Sequence, residues 1–221
     1  MARIARVIAP GYPHHITQRG NRRQKTFFKD EDYETYIRLM SEWCGKLNVE
    51  IWGYCLMPNH VHLIAVPNSA FGLRQAIGEA HRRYTRYINF QKGWKGYLWQ
   101  GRFGSCVLDQ RHLIAAARYI EHNPVKAGMV KQPEHYRWSS AVPHLQRKDN
   151  SLVRVSPLLD MVPGWAKFLA SDPDPEALAQ ILRHSRTGRP VGSVDFISTL
   201  ETLTGRTLKP QKPGPKARMQ N

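Results

Sequence analysis

The chain has 221 residues, with 33 lysines and arginines against 17 aspartates and glutamates, for a formal net charge of +16. That balance is too basic for an ordinary enzyme of neutral metabolites and points to a polyanionic partner, nucleic acid first. No long apolar span or signal peptide is visible, so a membrane is the weaker reading; three cysteines without a C-x-x-C pair indicate a reducing cytoplasm rather than a disulfide framework or zinc finger.

Seven basic residues and no acid occupy positions 1–29. Residues 14–19 read as a first strand and residues 20–23 as a basic turn. A charge run is often only a solvated surface, but this asymmetry favours a phosphate-contacting edge, with Arg19, Arg22 and Arg23 as contacts. Residues 30–47 read as a helix capped by Asp30 or Asp32, with Tyr36, Leu39, Met40, Trp43 and Leu47 on its core face. Residues 49–54 are a second strand.

The third strand is the stretch 56–66, Leu-Met-Pro-Asn-His-Val-His-Leu-Ile-Ala-Val, apolar and rich in β-branched residues. Strand side chains alternate, so His60 and His62 project from one face. Two imidazoles there can share a divalent metal or hold a phosphate, although a bare His-x-His is commonly no more than a half-buried strand. The short Leu-Met-Pro-Asn link makes the second and third strands antiparallel neighbours.

Residues 71–90 form a second helix, with Leu73, Ile77, Tyr84, Tyr87 and Ile88 towards one side. Arg82, Arg83 and Arg86 decorate the remainder and suit a helix lying along a nucleic-acid backbone. The stretch 96–108 reads as an aromatic and basic loop entering a fourth strand, in which Trp99 and Arg102 could stack on unpaired bases or equally serve a core. Asp109 then caps a helix that runs to Asn123, where Pro124 ends it. Leu113, Ala117 and Ile120 form its buried stripe, and His112, Tyr119 and Asn123 fall within ~40° of one another on an adjoining side.

The order strand–helix–strand–strand–helix–strand, with a further helix, is that of a ferredoxin-like or RRM-like α+β antiparallel sheet. It occupies residues 1–150. Residues 151–221 read as a helical extension, with helices at 156–169, 174–184 and 193–203. A flexible basic tail with prolines at 210, 213 and 215 closes it.

Four segments together carry a family resemblance: Met57-Pro58-Asn59-His60-Val61-His62, the Leu-Trp-Gln-Gly-Arg-Phe run at 98–103, the Tyr-Ile-Glu-His-Asn-Pro-Val-Lys-Ala-Gly run at 119–128, and Trp138-Ser139-Ser140. They span about residues 10–145, and the chain resembles the single-tyrosine HUH transposases, within them the REP-associated tyrosine transposases. The resemblance implies the HUH nuclease fold, with helices on one face of the sheet. It implies metal-dependent cleavage and strand transfer of single-stranded DNA at hairpin-forming repetitive palindromes, with Mg²⁺ or Mn²⁺. Tyr119 would attack the phosphodiester to give a 5′-phosphotyrosine. His60 and His62 would hold the metal, with Asn123 as third ligand and Gln18 and His122 as alternatives. Tyr84, Tyr87 and Tyr97 compete for the nucleophile role on residue type alone. A DNA substrate implies a cytoplasmic, nucleoid-associated protein; monomer and homodimer stay open. The reading from a different class is a non-catalytic single-strand-binding module on an RRM-like sheet, which needs the basic and aromatic residues but not His60, His62 and Tyr119 together. A weaker reading is a replication or relaxation initiator with the same cleavage chemistry.

Overall fold

A computed structural model describes residues 5–209; most of the expected basic tail, from residue 210 on, lies outside them. Four strands, β1 (His14–Arg19), β2 (Val49–Met57), β3 (His60–Pro67) and β4 (Gly104–Val107), form one sheet in the order β2-β3-β1-β4. Every neighbouring pair is antiparallel. The helices between them are α1 (Asp30–Lys46), α2 (Gly72–Lys92) and, after β4, α3 (Gln110–Lys126). This is the expected α+β sheet.

The register sets the faces. Arg19 stands opposite His60 and Thr17 opposite His62, while His15 stands opposite Ile64 on β3 and Cys106 on β4. By alternation Ile16, Val61 and Leu63 point to the other face, where α1 and α2 pack on each other and on the sheet. The histidine-bearing face is covered by α3.

Two boundaries near the histidines differ from the sequence reading, and the helix expected at 156–169 is two, broken around Pro163. Leu56 and Met57 belong to β2, so the turn before β3 is the dipeptide Pro58-Asn59. Strands buried on both faces show no alternation that could mark the break. Helix α3 also passes through Pro124 to Lys126. The proline sits in the last turn, so one hydrogen bond, to the Ile120 carbonyl, is forgone shortly before the helix ends. The caps follow the sequence: the Asp109 side chain accepts from His112 N, and the Asp32 carboxylate accepts from Phe28 N at 2.8 Å and Lys29 N at 3.2 Å.

Beyond α3 come five short helices: α4 (Ala141–Gln146), α5 (Ser156–Met161), α6 (Trp165–Ala170), α7 (Pro175–Thr187) and α8 (Val194–Thr204). They do not form a separate core. Leu152, Val153, Leu158, Trp165 and Ile181 belong to the same apolar cluster as Leu63 and Ile64. A smaller cluster of Val7, Ala9, Val107, Leu200 and Leu208 ties α8 to the N-terminal arm. The segment Trp138-Ser139-Ser140 lengthens the sheet beside β2, with Leu56 N–H donating to Trp138 O and Ser140 N–H to Tyr54 O, each at 2.9 Å.

Candidate active site

His60 and His62 stand side by side on β3, ring centroids 5.0 Å apart and nearly perpendicular. The Nδ1 of His60 lies 2.6 Å from Asn59 Oδ1. A carboxamide oxygen only accepts, so the proton is on Nδ1 and the His60 Nε2 keeps its lone pair. The Nδ1 of His62 lies 3.0 Å from His15 Nε2. Its Nε2 is buried and has no hydrogen-bond partner among the described residues. Burial and then Arg19 lower the His60 pKa to about 4. Burial, with His15, His60 and Arg19, holds His62 well below its usual value. Both imidazoles are therefore neutral at neutral pH, the state a metal ligand requires.

Helix α3 brings Tyr119 onto this pair. Its half-buried ring stands edge-on to His62, centroids 5.5 Å apart, and to His15 at 6.3 Å. Burial raises the phenol pKa, against the opposing pull of the Asn123 carboxamide and Arg19. Asn123 follows one turn later, its Nδ2 buried without a hydrogen-bond partner. A cleft of about 280 Å³ opens beside Tyr119 between α3 and α7, with Arg118, His122, Lys126 and Leu178 in its walls. The far side of α3 is anchored by Glu121, which is 1% exposed. Its carboxylate accepts from Ser140 Oγ at 2.7 Å, His144 Nδ1 at 2.6 Å and Trp165 Nε1 at 2.9 Å.

These residues fit a divalent ion. The two histidines and the Asn123 carboxamide lie on the Tyr119 side of the sheet, and the hydrogen bonds to Asn59 and His15 are the outer contacts that orient ligating histidines. Among the described residues no group of three or more His, Cys, Asp or Glu could hold a metal. The remaining ligands would therefore be neutral or come from a substrate. Gln18 and His122 are turned to other partners. Gln18 points to the opposite sheet face and donates to Gly101 O at 3.1 Å, and His122 Nε2 donates to Leu169 O at 2.8 Å.

The sequence model of the IS200-like transposases matches residues 11–123, a span that runs from before β1 through Tyr119 to Asn123. The chain belongs to the IS200-like transposase family. Among solved structures it is similar to a REP-associated tyrosine transposase bound to a REP hairpin. The TM-score is 0.54 at 23% identity, over 66% of this chain and 87% of that one. A structure from Deinococcus radiodurans R1 described as a transposase is similar over 54% of this chain and 96% of its own, at 18% identity and a TM-score of 0.39. No curated protein matches the chain.

Around the histidines of this transposase lies one basic surface. Arg19 is exposed beside His60, and the turn carrying exposed Arg22 and Arg23 is stitched to the Pro58-Asn59 turn. Gly20 N–H donates to Asn59 O at 2.8 Å, and Asn59 Nδ2 to Arg23 O at 3.2 Å. Arg22 and Arg23 take left-handed φ values of 51° and 61°, an unfavourable conformation for side chains of this kind. A second basic surface lies apart from it. Arg82, Arg83 and Arg86 share with Arg38, Phe90 and Trp94 an open groove of about 900 Å³ between α1 and α2. Glu79 binds Arg82 at 2.6 Å and Arg83 at 2.9 Å.

Trp99 corrects an expectation. It is 7% exposed and stacked on His81 at 4.8 Å, so its ring packs the core and offers no face to a base. Among the described residues the most exposed aromatics are Phe90 on α2, at 89%, and Tyr97 on this loop, at 88%, and Arg102 of the same loop is exposed. Of the competing tyrosines, Tyr84 is fully buried and donates to Thr26 O at 2.7 Å. His112, expected beside Tyr119, is instead held between Asp109 at 2.6 Å and Gln180 at 2.8 Å. The sequence reading missed His15 and Glu121. The doublet His14-His15 and an acid inside an apolar helix were their only signals.

Proposed function

We propose that this transposase cleaves and rejoins single-stranded DNA beside hairpin-forming repeats, with Tyr119 as nucleophile and a divalent metal, Mg²⁺ or Mn²⁺, held by His60 and His62 with Asn123. The observation that carries the reading is the convergence of two unengaged imidazole Nε2 atoms and a tyrosine ring on one sheet face. The similarity to a REP-associated tyrosine transposase in complex with a REP hairpin supports membership of that group and a hairpin substrate. Residues 1–150 would carry the chemistry and residues 151–221 would support it. A DNA substrate places the protein at the nucleoid.

In the reaction, a bond forms between Tyr119 Oη and the scissile phosphorus, and the bond from phosphorus to the 3′ oxygen breaks. The products are a 5′-phosphotyrosine and a free 3′-hydroxyl, which takes up the proton the phenol gives away. A bound metal would polarise a non-bridging phosphate oxygen. Tyr119 is held as the neutral phenol by burial, so proton loss must accompany attack, and Arg19 and Asn123 favour that loss. Rejoining is the reverse attack by a 3′-hydroxyl on the phosphotyrosine. The covalent bond conserves the phosphodiester energy, so no ATP is needed. Arg19, Arg22 and Arg23 would hold the phosphates near the cut, with Arg102 on the adjoining loop, and Arg82, Arg83 and Arg86 a second duplex or strand.

The test is incubation of the protein with Mn²⁺ and end-labelled single-stranded hairpin DNA, resolved on a denaturing gel. A covalent protein–DNA band is expected. Tight binding with no band under Mn²⁺ or Mg²⁺ would favour the non-catalytic binding module.

A further inference from the structure

The histidine pair is completed by a residue outside the family-matched segment. Ser185 lies on α7, 170 positions from His15, and its Oγ is 3.1 Å from His15 Nδ1. His15 Nε2 is in turn 3.0 Å from His62 Nδ1. The two imidazole planes are almost parallel, interplanar angle 4°, and the rings meet edge to edge with centroids 5.3 Å apart, so the three groups form a line that ends at the unpartnered His62 Nε2. Cys106, beside His15 on β4, places its Sγ 3.7 Å from the same serine oxygen.

Only one proton fits between two ring nitrogens 3.0 Å apart, so the line has two directions. In one, Ser185 Oγ–H donates to His15 Nδ1, His15 Nε2–H donates to His62 Nδ1, and His62 carries its proton on Nε2. That N–H is buried with nothing to receive it, and the ring cannot ligate. In the other, His62 Nδ1–H donates to His15 Nε2, and His15 Nδ1–H donates to Ser185 Oγ. The serine hydrogen turns to Cys106 Sγ, and His62 Nε2 presents a lone pair. The second direction needs an acceptor at the far end of the line, and Ser185 Oγ is that acceptor.

We propose that Ser185 is a positioning residue for the metal, fixing His15 and through it His62 in the tautomer that can ligate. The proposal rests on the metal reading given above. It gives the C-terminal helices a direct part in the site: anything that lifts α7 from the sheet removes the acceptor and disarms His62.

The test uses the full chain, Ser185→Ala and Ser185→Thr, with protein labelled with ¹⁵N at histidine. Long-range ¹H–¹⁵N spectra of the metal-free protein read which ring nitrogen carries the proton. Mn²⁺ titration followed by electron paramagnetic resonance reads affinity without DNA. In the wild type the His62 proton is expected on Nδ1. In Ser185→Ala it should move to Nε2, and Mn²⁺ affinity should fall by about 10-fold or more, the usual effect of removing an outer-shell partner. Ser185→Thr, which keeps the hydroxyl, should restore both. Wild-type His62 protonated on Nε2 overturns the proposal, a result that does not depend on any variant folding. So does a folded Ser185→Ala that binds Mn²⁺ as the wild type does. A wild type that binds no Mn²⁺ refutes the metal assignment itself, which separates that failure from the failure of Ser185.

Discussion

The Tyr119 ring stands edge-on to His62, the planes 85° apart and the centroids 5.5 Å apart. The two residues are 57 positions apart in sequence, on α3 and β3.

Replacing Tyr119 by Phe removes only that oxygen and keeps the ring against His62 and His15. The variant should fold, bind hairpin DNA within about 3-fold of wild type, since phosphate contacts supply most affinity, and form no covalent adduct. Tyr84→Phe and Tyr97→Phe should still form it. Peptide mass spectrometry of the wild-type adduct decides the point; a phosphotyrosine elsewhere would refute Tyr119.

The double change His60→Ala, His62→Ala removes both Nε2 donors. Loss of the metal's charge stabilisation is worth several kcal/mol, so adduct formation should fall at least about 10²-fold while DNA affinity changes little. Chelation of wild type with EDTA should have the same effect and be reversed by Mn²⁺. Undiminished cleavage in either experiment would remove the metal from the mechanism.

Arg82, Arg83 and Arg86 line the groove beside α2, away from the histidines. Changing all three to Gln should weaken binding to all sequences alike. With about 0.7 counterions released per single-strand phosphate, the log–log salt slope should become shallower by about 2. Fluorescence anisotropy at several salt concentrations measures it. An unchanged slope would show that DNA does not use this groove.

Glu121 joins α3 to Ser140, His144 and Trp165 in the interior. Glu121→Ala leaves the buried Trp165 Nε1 without an acceptor, while Ser140 Oγ and His144 Nδ1 keep the carbonyls of Tyr54 and Ser140. Leaving a buried donor unsatisfied costs roughly 1–3 kcal/mol. Thermal or urea denaturation should show that loss, and a change below about 1 kcal/mol would mean that water or repacking replaces the carboxylate.

His81 is buried against Tyr36 and Trp99, and burial lowers its pKa from 6.5 to about 3. The unfolded chain therefore binds a proton that the folded one refuses. The stabilisation is complete above pH 6.5 and is lost as pH falls from there towards about 3. His81→Gln, which can still accept from the Tyr36 hydroxyl, should flatten the melting temperature in that window. An equal acid sensitivity in the variant would assign it to the other buried histidines.

The sequence by itself determined the strands and helices, because alternation, helical spacing, Asp109 and the Pro58-Asn59 turn are local signals. It also put His60 and His62 on one face, since a period of two leaves no choice. The nucleophile and the third ligand came from the resemblance as much as from residue spacing. What only the tertiary structure decided is which side chains meet. Trp99 and Arg102 read alike as loop residues, yet Trp99 turns into the core against His81. Gln18 and His122 had the right chemistry for ligands and are spent on backbone carbonyls. His15 and Ser185 lie 170 positions apart and carry no motif. Their contact exists because β1 pairs with β4 and α7 packs across both, and packing across a sheet depends on the whole chain folding at once rather than on any stretch of it.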